Sequence, residues 1–326
     1  MDRSRRDLLR SAGALAAAAV VSWAPLPLAS AGEEGSSPRR RRALRLAHVT
    51  DVHVQPELGA ADGLATCLRH VQAHKDPPQL ILNGGDAVMD VFGADAARAK
   101  VLADLWRRVW NAECSLPVEH CVGNHDVWGW DRKESKTTGT ETAWGKRWAL
   151  DLLGLERGYR SFDRAGWHFI VLDSVHSIEG PEAGYVARLD EEQFRWLAHD
   201  LAATAASRPV LVLSHIPILS IAAMMYGEQE KSGEWVVPAS WVHIDARRIT
   251  NLFRQHPNVK LCLSGHIHLC DEVKYGGVTY VCGGAVCGDW WKGDLDGTDE
   301  GYSLVDLYDG GDFRVQYVPY GWKPRE

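Results

Sequence analysis

Short apolar runs alternate along the chain with longer segments whose apolar residues recur at helical spacing. The short runs predict buried strands, and they lie at residues 44–50, 80–82, 118–122, 167–172, 209–213 and 259–263. The longer segments predict amphipathic helices at residues 64–74, 94–109, 190–203 and 245–255. Because strands and helices alternate, we expect a sheet that is covered by helices.

Two segments near the end of the chain predict hairpins instead of strand–helix units. Residues 273–281 contain a Gly-Gly turn at 276–277, and residues 302–308 and 313–318 flank the turn at 309–311. These hairpins would add antiparallel strands to the sheet. The predicted fold class is therefore α/β, with mixed sheets and flanking helices.

The first 31 residues have the layout of an export signal. A twin-arginine pair at 5–6 precedes an Ala-rich apolar stretch at 11–23, and the small residues at 29–31 suit cleavage. This layout is typical of a bacterial Tat signal peptide; a frayed cytoplasmic tail and an uncleaved anchor helix are the alternatives. We expect an exported protein, periplasmic or extracellular, with the Tat export machinery as a partner.

The rest of the chain divides into a linker and one folded domain. Residues 32–43, rich in Gly, Glu, Ser, Pro and Arg, predict a disordered linker, and residues 44–326 predict the domain. No apolar run reaches the roughly 18–20 residues of a membrane-spanning helix. The formal net charge is −7, with −9 beyond residue 31, which argues against a general nucleic-acid binder.

Seven cysteines follow the predicted signal, so at least one is unpaired within a monomer. Export permits disulfides, and none of the cysteines has the C-x-x-C spacing of a zinc site. Buried free thiols and a bridge within one group both remain open. That group is Cys262, Cys270, Cys282 and Cys287.

Polar residues with metal-ligand chemistry recur where the apolar runs end. In order they form the blocks Asp-x-His, Gly-Asp, Gly-Asn-His-Asp, Ser-His and Gly-His-x-His. Their members are Asp51, His53, Asp86, Asn124, His125, Asp126, His215, His266 and His268. Sites in open α/β sheets form at the carboxyl ends of strands, so we expect these side chains to converge. Mixed imidazole and carboxylate donors suit Mn, Fe or Zn better than Ca or Mg.

The five blocks, from about residue 44 to residue 268, resemble the calcineurin-like metallophosphoesterase family. The resemblance implies a four-layer α/β/β/α sandwich that holds two divalent metal ions. It implies two ligand sets with one bridging carboxylate: Asp51, His53 and His268 for one ion; Asn124, His215 and His266 for the other; and Asp86 between them. It further implies that His125 contacts the substrate phosphate and aids departure of the leaving group, with Asp126 orienting it.

The sequence departs from the patterns of two branches of this family, which narrows the resemblance. Met89 stands where purple acid phosphatases carry an iron-binding tyrosine, and Asp126 stands where the Ser/Thr protein phosphatases carry glutamate. The Gly-Asp-x-x-Asp-Arg block of those phosphatases is also absent from the sequence. The resemblance is therefore to the exported, cyclic-nucleotide phosphodiesterase-like branch.

Tryptophan-rich segments are the candidates for substrate selection. Residues 128–148 bring Trp128 and Trp130 next to the Gly-Asn-His-Asp block, and residues 218–241 would suit a lid. The tandem pair Trp290 and Trp291 would suit stacking on a base or sugar. Packing of these side chains against the domain is the alternative in each case.

We expect a dinuclear metal-dependent phosphodiesterase of the cell envelope. Its substrates would be cyclic nucleotides, glycerophosphodiesters or sugar-phosphate diesters, attacked by a water that the metals activate. The alternative is a phosphomonoesterase of nucleotides or sugar phosphates, which would need further cations at the site. The candidate cations are Arg132, Lys133, Lys146, Arg147 and Lys292. A non-catalytic envelope binding protein would have no need for His125, and a nuclease disagrees with the acidic chain.

Overall fold

Two mixed sheets form the centre of the molecule. A computed structural model of the chain describes residues 41–178, 183–225 and 233–324. The first sheet contains, from edge to edge, β13 (Phe313–Pro319), β12 (Gly301–Tyr308), β1 (Arg42–Val49), β2 (Ile81–Asn83) and β3 (Val118–His120). The second contains β10 (Cys270–Tyr275), β11 (Val278–Gly283), β9 (Val259–Ser264), β8 (Val210–Ser214), β5 (Trp167–Leu172) and β4 (Arg160–Arg164). A separate hairpin consists of β6 (Val175–Ser177) and β7 (Tyr185–Ala187).

Helices connect the strands. They are α1 (Ala60–Gln72), α2 (Ala96–Glu113), α3 (Arg132–Ser135), α4 (Lys146–Leu153), α5 (Glu191–Ala203), α6 (Ala222–Met225) and α7 (Ala246–Phe253). Asp190 caps α5: its side chain accepts a hydrogen bond from the backbone N–H of Gln193. None of the helices within the described ranges has the length and apolarity that a membrane crossing requires.

The alternation of side chains along the strands creates four layers. On β1, Leu44 and Leu46 enter a core shared with the second sheet, whereas Ala47 and Val49 enter a core shared with α1 and α2. On the second sheet, alternate residues of β5 likewise face either the first sheet or the core of α5 and α7. The predicted α/β/β/α sandwich is therefore confirmed.

Parallel neighbours bring the ends of several strands to the same edge of each sheet. β1, β2 and β3 run parallel to one another, as do β5, β8 and β9. The predicted ligand blocks follow β1, β2 and β3 in the first sheet and β8 and β9 in the second. The sandwich therefore gathers the five blocks at one end.

The first strand begins earlier than the sequence predicts. β1 starts at Arg42, whose guanidinium forms ion pairs with Asp76 and Asp306, although the predicted linker extends to residue 43. The predicted signal peptide, residues 1–31, lies outside the described residues, as does the linker up to residue 40. The extra strand residues pair with β12 across a register shift.

Candidate metal centre

Five of the seven predicted ligands have a left-handed backbone. The φ angles are 53° at Asp51, 46° at His53, 53° at Asp86, 71° at His266 and 61° at His268. Such angles cost roughly 1–3 kcal/mol at a residue with a side chain and persist where surrounding contacts fix them. Here backbone hydrogen bonds fix them, for example from Asp51 N–H to the Gly85 carbonyl. The strained turns that follow the strands therefore point the ligand side chains toward one another.

One group of donors contains His53, His268 and Asp51. The Nε2 atoms of the two imidazoles lie 3.1 Å apart, and they lie 3.9 and 3.5 Å from Asp51 Oδ1. His53 Nδ1–H donates to the Met89 carbonyl and His268 Nδ1–H to the Gly288 carbonyl. Because Nδ1 carries the proton in both rings, both Nε2 lone pairs point toward the shared space.

A second group surrounds His215. Its Nε2 lies 3.1 Å from Asp86 Oδ2 and 3.0 Å from Asn124 Oδ1, while its Nδ1–H donates to the Gly84 carbonyl. The His266 ring meets the His215 ring edge-on at 5.1 Å, and ligand atoms of Asp86, His215 and His266 lie within 4.8 Å of one another. This is the second predicted ligand set.

Asp86 lies between the two groups. Its Oδ2 is 3.6 Å from His53 Nε2 and 3.1 Å from His215 Nε2, and its Oδ1 accepts a hydrogen bond from His125 N–H. A carboxylate in this place can offer oxygen to two ions at once. The structure thus brings all seven predicted ligands together, with Asp86 in the bridging position.

The donor set fits a pair of divalent cations. The Nε2 atoms of two neutral rings at 3.1 Å would repel each other, and a cation between them would remove that repulsion. Asp51 and Asp86 are almost completely buried, and within the described chain their ion-pair partners are histidines. Buried carboxylates require such compensation, and imidazole with carboxylate is the chemistry of transition-metal sites.

Burial and mutual charge determine the protonation of the metal-free donors. Burial by itself would lower the pKa of His215, but the charge of Asp86 raises that pKa to about 9. Burial lowers the pKa of His266 to about 3. For Asp51, burial acts to raise the pKa, and the hydrogen bond and charge of His268 bring it below its ordinary value. Bound metal would therefore displace a proton from His215.

His125 lies beside the donors with part of its side chain exposed. Its ring meets the His53 ring edge-on at 4.7 Å, and it lines the open cavity over the site. Its Nδ1 faces Asp90 Oδ1 at 3.6 Å. Asp90 was missed in the sequence, although it follows the Gly-Asp block by four residues. The residue that faces the His125 ring is therefore Asp90.

Asp126 makes different contacts from the predicted ones. Its carboxylate accepts hydrogen bonds from the backbone N–H groups of Asp86, Ala87 and Gly123 at 2.9, 2.9 and 3.0 Å. Burial raises its pKa to about 7. Because these contacts use the carboxylate inside the loop, the expectation that Asp126 orients the His125 ring is corrected: Asp126 holds the turn that carries Asp86.

Trp128 and Trp130 lie away from the donors, which corrects the prediction that they contact substrate. The Trp128 indole is buried and donates its Nε1–H to the Ala94 carbonyl, in the core that also contains residues of α2 and α4. Trp130 packs edge-on against Phe92 and close to Gly145. Both side chains stabilise the loop that follows the Gly-Asn-His-Asp block.

The tandem tryptophans have separate roles. The Trp290 ring lies over the donors, with its centroid 4.3 Å from that of His53 and 5.2 Å from that of His125. Trp291 is only 1% exposed and donates its Nε1–H to the His53 carbonyl. Its ring fills the space beside Gly63, where an added Cβ would lie 2.0 Å away. Substrate contact therefore stays a prediction for Trp290 and is corrected for Trp291, which belongs to the core.

An open cavity of about 200 Å³ leads to the donors. Its lining includes the aromatic residues Tyr185, Trp241 and Trp290 and the aliphatic Ile267. Tyr185 comes from the three-residue strand β7, for which the sequence gives no signal. Trp241 ends the predicted lid segment, of which residues 226–232 lie outside the described residues.

The candidate cations lie elsewhere. Lys146 pairs with Asp173, Arg147 pairs with Asp151, and the Arg132 guanidinium lies over the Trp144 ring. Lys133 and Lys292 are exposed and line no part of the cavity. Within the described chain, the cavity lining contains neither lysine nor arginine.

All seven cysteines lie in described parts of the chain, and all are free thiols. Cys287 is the one that touches the candidate site: its Sγ lies 3.8 Å from His268 Nδ1. Burial raises the pKa of this thiol, so it stays protonated at neutral pH. The bridge that the sequence left open is not formed.

A family model described as calcineurin-like phosphoesterase matches residues 44–270. The chain belongs to this family. The matched range contains every predicted metal ligand as well as His125 and Asp126. Membership in the calcineurin-like phosphoesterases agrees with the two donor groups and the bridging Asp86.

Solved structures with the same fold have low sequence identity to this calcineurin-like chain. A dimetal phosphatase from Danio rerio has a TM-score of 0.57 at 14% identity, covering 86% of this chain and 100% of that one. GAP50, the anchor in the inner membrane complex of Plasmodium, has a TM-score of 0.51 at 14% identity, covering 85% of each chain. No curated protein matches the chain by sequence. At these identities the similarities establish the fold.

Proposed function

We propose that the chain is a dinuclear phosphodiesterase that hydrolyses small phosphate diesters. The observation that carries the proposal is the lining of the cavity. Within the described part of the chain, this lining contains three aromatic side chains and neither lysine nor arginine. A diester has one negative charge, which two divalent ions can neutralise without further cations. A monoester dianion is usually held by additional arginine or lysine.

The residues fit this chemistry. Two bound divalent ions would neutralise the phosphate and lower the pKa of a bound water. Asp51, His53, His268, Asn124, His215, His266 and the bridging Asp86 would hold them. His125, on the open side of the donors, is placed to give a proton to the departing oxygen, and the Asp90 carboxyl faces its Nδ1 at 3.6 Å.

The alternatives make different use of the same residues. A phosphomonoesterase would need cations at the cavity, but three of the five candidates are engaged with other side chains. A binding protein is compatible with the fold, since GAP50 is described as an anchor. The partly exposed His125 beside an intact donor set supports the enzyme.

We further propose that the native ions are Mn, Fe or Zn and that the protein is exported through the Tat pathway to the periplasm or beyond. Imidazole-rich ligation supports the choice of ions. The twin-arginine pair and the small residues at 29–31 support the export. The predicted export, together with the departures at Met89 and Asp126, supports a place in the exported, cyclic-nucleotide phosphodiesterase-like branch.

Paired substrates test the proposed activity. Purified, Mn-loaded protein is assayed on bis(4-nitrophenyl) phosphate and on 4-nitrophenyl phosphate, with and without chelator. We expect chelator-sensitive turnover with a higher kcat/KM for the diester. Asp86→Asn should lose turnover, whereas Asp104→Asn, on the exposed side of α2, should retain it. A higher kcat/KM for the monoester would support the phosphatase, and no turnover with two bound ions would support the binding protein.

A further inference from the structure

We propose that Trp290 selects substrates whose leaving group carries a flat aromatic ring, which stacks on the indole. The inference rests on the proposed phosphodiesterase function, because it concerns the same cavity. It goes beyond that function by naming the side of the substrate that is recognised and the chemical class that fits there.

The position of Trp290 is built into the fold. Trp290 and Trp291 have consecutive left-handed φ angles of 53° and 70°. Non-glycine residues adopt such angles at a cost and keep them where their surroundings are rigid. Trp291 supplies that rigidity, because its indole is buried beside Gly63 and its Nε1–H is bonded to the His53 carbonyl. The strained turn therefore presents the Trp290 ring over the site.

The Trp290 ring lies on the side where the leaving group departs. Its centroid is 5.2 Å from that of His125, the residue placed to protonate the departing oxygen, and 4.8 Å from that of His268. A group leaving toward His125 therefore passes along the indole. A flat ring in that place would gain stacking energy that a compact or branched group would not.

The rest of the cavity fits a single ring system. Tyr185 and Trp241 provide the other aromatic side chains of the lining, and Ile267 adds an aliphatic one. The volume of about 200 Å³ is below the roughly 300–1,000 Å³ of pockets for drug-sized ligands. The cavity therefore has room for a phosphate with one aromatic group, such as a nucleobase or a phenol.

Two non-hydrolysable diester analogues separate stacking from simple apolar contact. Methyl(phenyl)phosphinate and methyl(cyclohexyl)phosphinate both carry one negative charge, and their rings are similar in size, but only the phenyl ring is flat. Binding of each to the Mn-loaded full chain is measured by calorimetry, which requires no turnover. We expect the phenyl compound to bind the wild-type protein about tenfold more tightly, a difference of about 1.4 kcal/mol.

Variants at Trp290 keep either the flat ring or only the apolar bulk. Trp290→Phe should retain the preference for the phenyl compound within about threefold, and Trp290→Leu should abolish it by weakening phenyl binding about tenfold. Tyr275→Ala, which removes an exposed aromatic ring of β10 that does not line the cavity, serves as the control and should change neither affinity. Bound Mn is quantified in every variant, so that loss of metal is not mistaken for loss of stacking.

Equal affinity of the wild-type protein for the two phosphinates would overturn the inference, as would a preference that survives in Trp290→Leu. The proposed function is tested separately by turnover of bis(4-nitrophenyl) phosphate. If the phenyl preference depends on Trp290 but no diester is hydrolysed, the phosphodiesterase proposal fails and the aromatic site stands. If diesters are hydrolysed without a phenyl preference, the aromatic site fails and the phosphodiesterase proposal stands.

Discussion

The Nε2 atoms of His53 and His268 face each other at 3.1 Å, while the Nδ1–H of each ring donates to a backbone carbonyl. The carbonyls fix the tautomer of each neutral ring, so the Nε2 lone pairs of the neutral rings face the shared space. The pair is therefore arranged for a shared cation, and it comes from two different sheets of the sandwich. This arrangement underlies the predictions that follow.

His125 is expected to act in the reaction without binding metal. Substituting His125→Ala should reduce kcat on diphenyl phosphate by roughly 10²–10⁴-fold, because phenol is a poor leaving group that needs a proton. The loss should be smaller on bis(4-nitrophenyl) phosphate, whose leaving group is stable as an anion. Kinetics on both substrates and the Mn content of the variant check this. An equal loss on both substrates, or loss of Mn, would contradict the proton-donor role.

Asp126 and Asp90 are expected to differ in what they support. Asp126→Asn should lower the free energy of unfolding by about 1–3 kcal/mol, because an amide cannot accept all the backbone N–H groups that the carboxylate accepts. Asp90→Asn should leave stability nearly unchanged and lower kcat roughly tenfold, because it removes the carboxyl that faces His125 Nδ1. Urea unfolding and steady-state kinetics measure both effects. The opposite pattern would restore Asp126 as the residue that orients His125.

Trp128 is expected to matter for stability and not for substrate binding. Its buried indole and its hydrogen bond to Ala94 predict a loss of about 3–5 kcal/mol in Trp128→Ala. The KM of the folded fraction should stay at the wild-type value, since the side chain lies outside the cavity lining. Trp128→Phe, with a smaller loss of packing, provides the matched variant. A raised KM with unchanged stability would contradict the assignment to the core.

A partly buried ion network between the second sheet and α5 predicts a pH dependence of stability. His168 donates Nδ1–H to Asp163 and Nε2–H to Asp200, at 2.7 and 2.8 Å. Burial alone would lower the pKa of His168, but these hydrogen bonds raise it above its ordinary value of 6.5. The pKa values of Asp163 and Asp200 are lowered from 3.8, chiefly by the hydrogen bond to His168 for Asp163 and against the effect of burial for Asp200.

The direction of the pH dependence of stability follows from these pKa shifts. The raised pKa of His168 stabilises the fold fully below pH 6.5, and this stabilisation is lost as pH rises through the folded-state value. The carboxylates contribute above about pH 3.8 and lose their contribution in acid. His168→Gln should therefore cost about 2 kcal/mol at pH 6 and clearly less at pH 9, measured by urea unfolding of both proteins at each pH. A difference that does not change with pH would contradict a charged His168.

The main strands and helices and the convergence of the candidate metal ligands could be predicted because each depends on a local pattern. Apolar runs that end in Asp or His place the ligands at strand ends, and the parallel order of the strands then gathers them. The edge strand β4 was not predicted, because residues 160–164 are mostly polar and have no apolar run.

The environment of the ligands depends on long-range packing that no local pattern encodes. Tyr185 enters the cavity from a three-residue strand, and Asp90 faces His125 across a turn. The two tryptophans at 290 and 291 are neighbours in the sequence, but the strained turn sends one to the cavity and the other to the core. The sequence identifies such residues as candidates, and their packing decides which of them face the cavity and which enter the core.

The most direct test of a dinuclear phosphodiesterase is a titration of the metal-free chain with Mn while turnover of bis(4-nitrophenyl) phosphate is recorded. Two donor groups that share Asp86 predict that turnover rises until two Mn ions are bound per chain and then stays constant. In Asp86→Asn the rise should be absent, because both ions lose the shared carboxylate. Full turnover with one ion or none, or no turnover with two ions bound, would contradict the account.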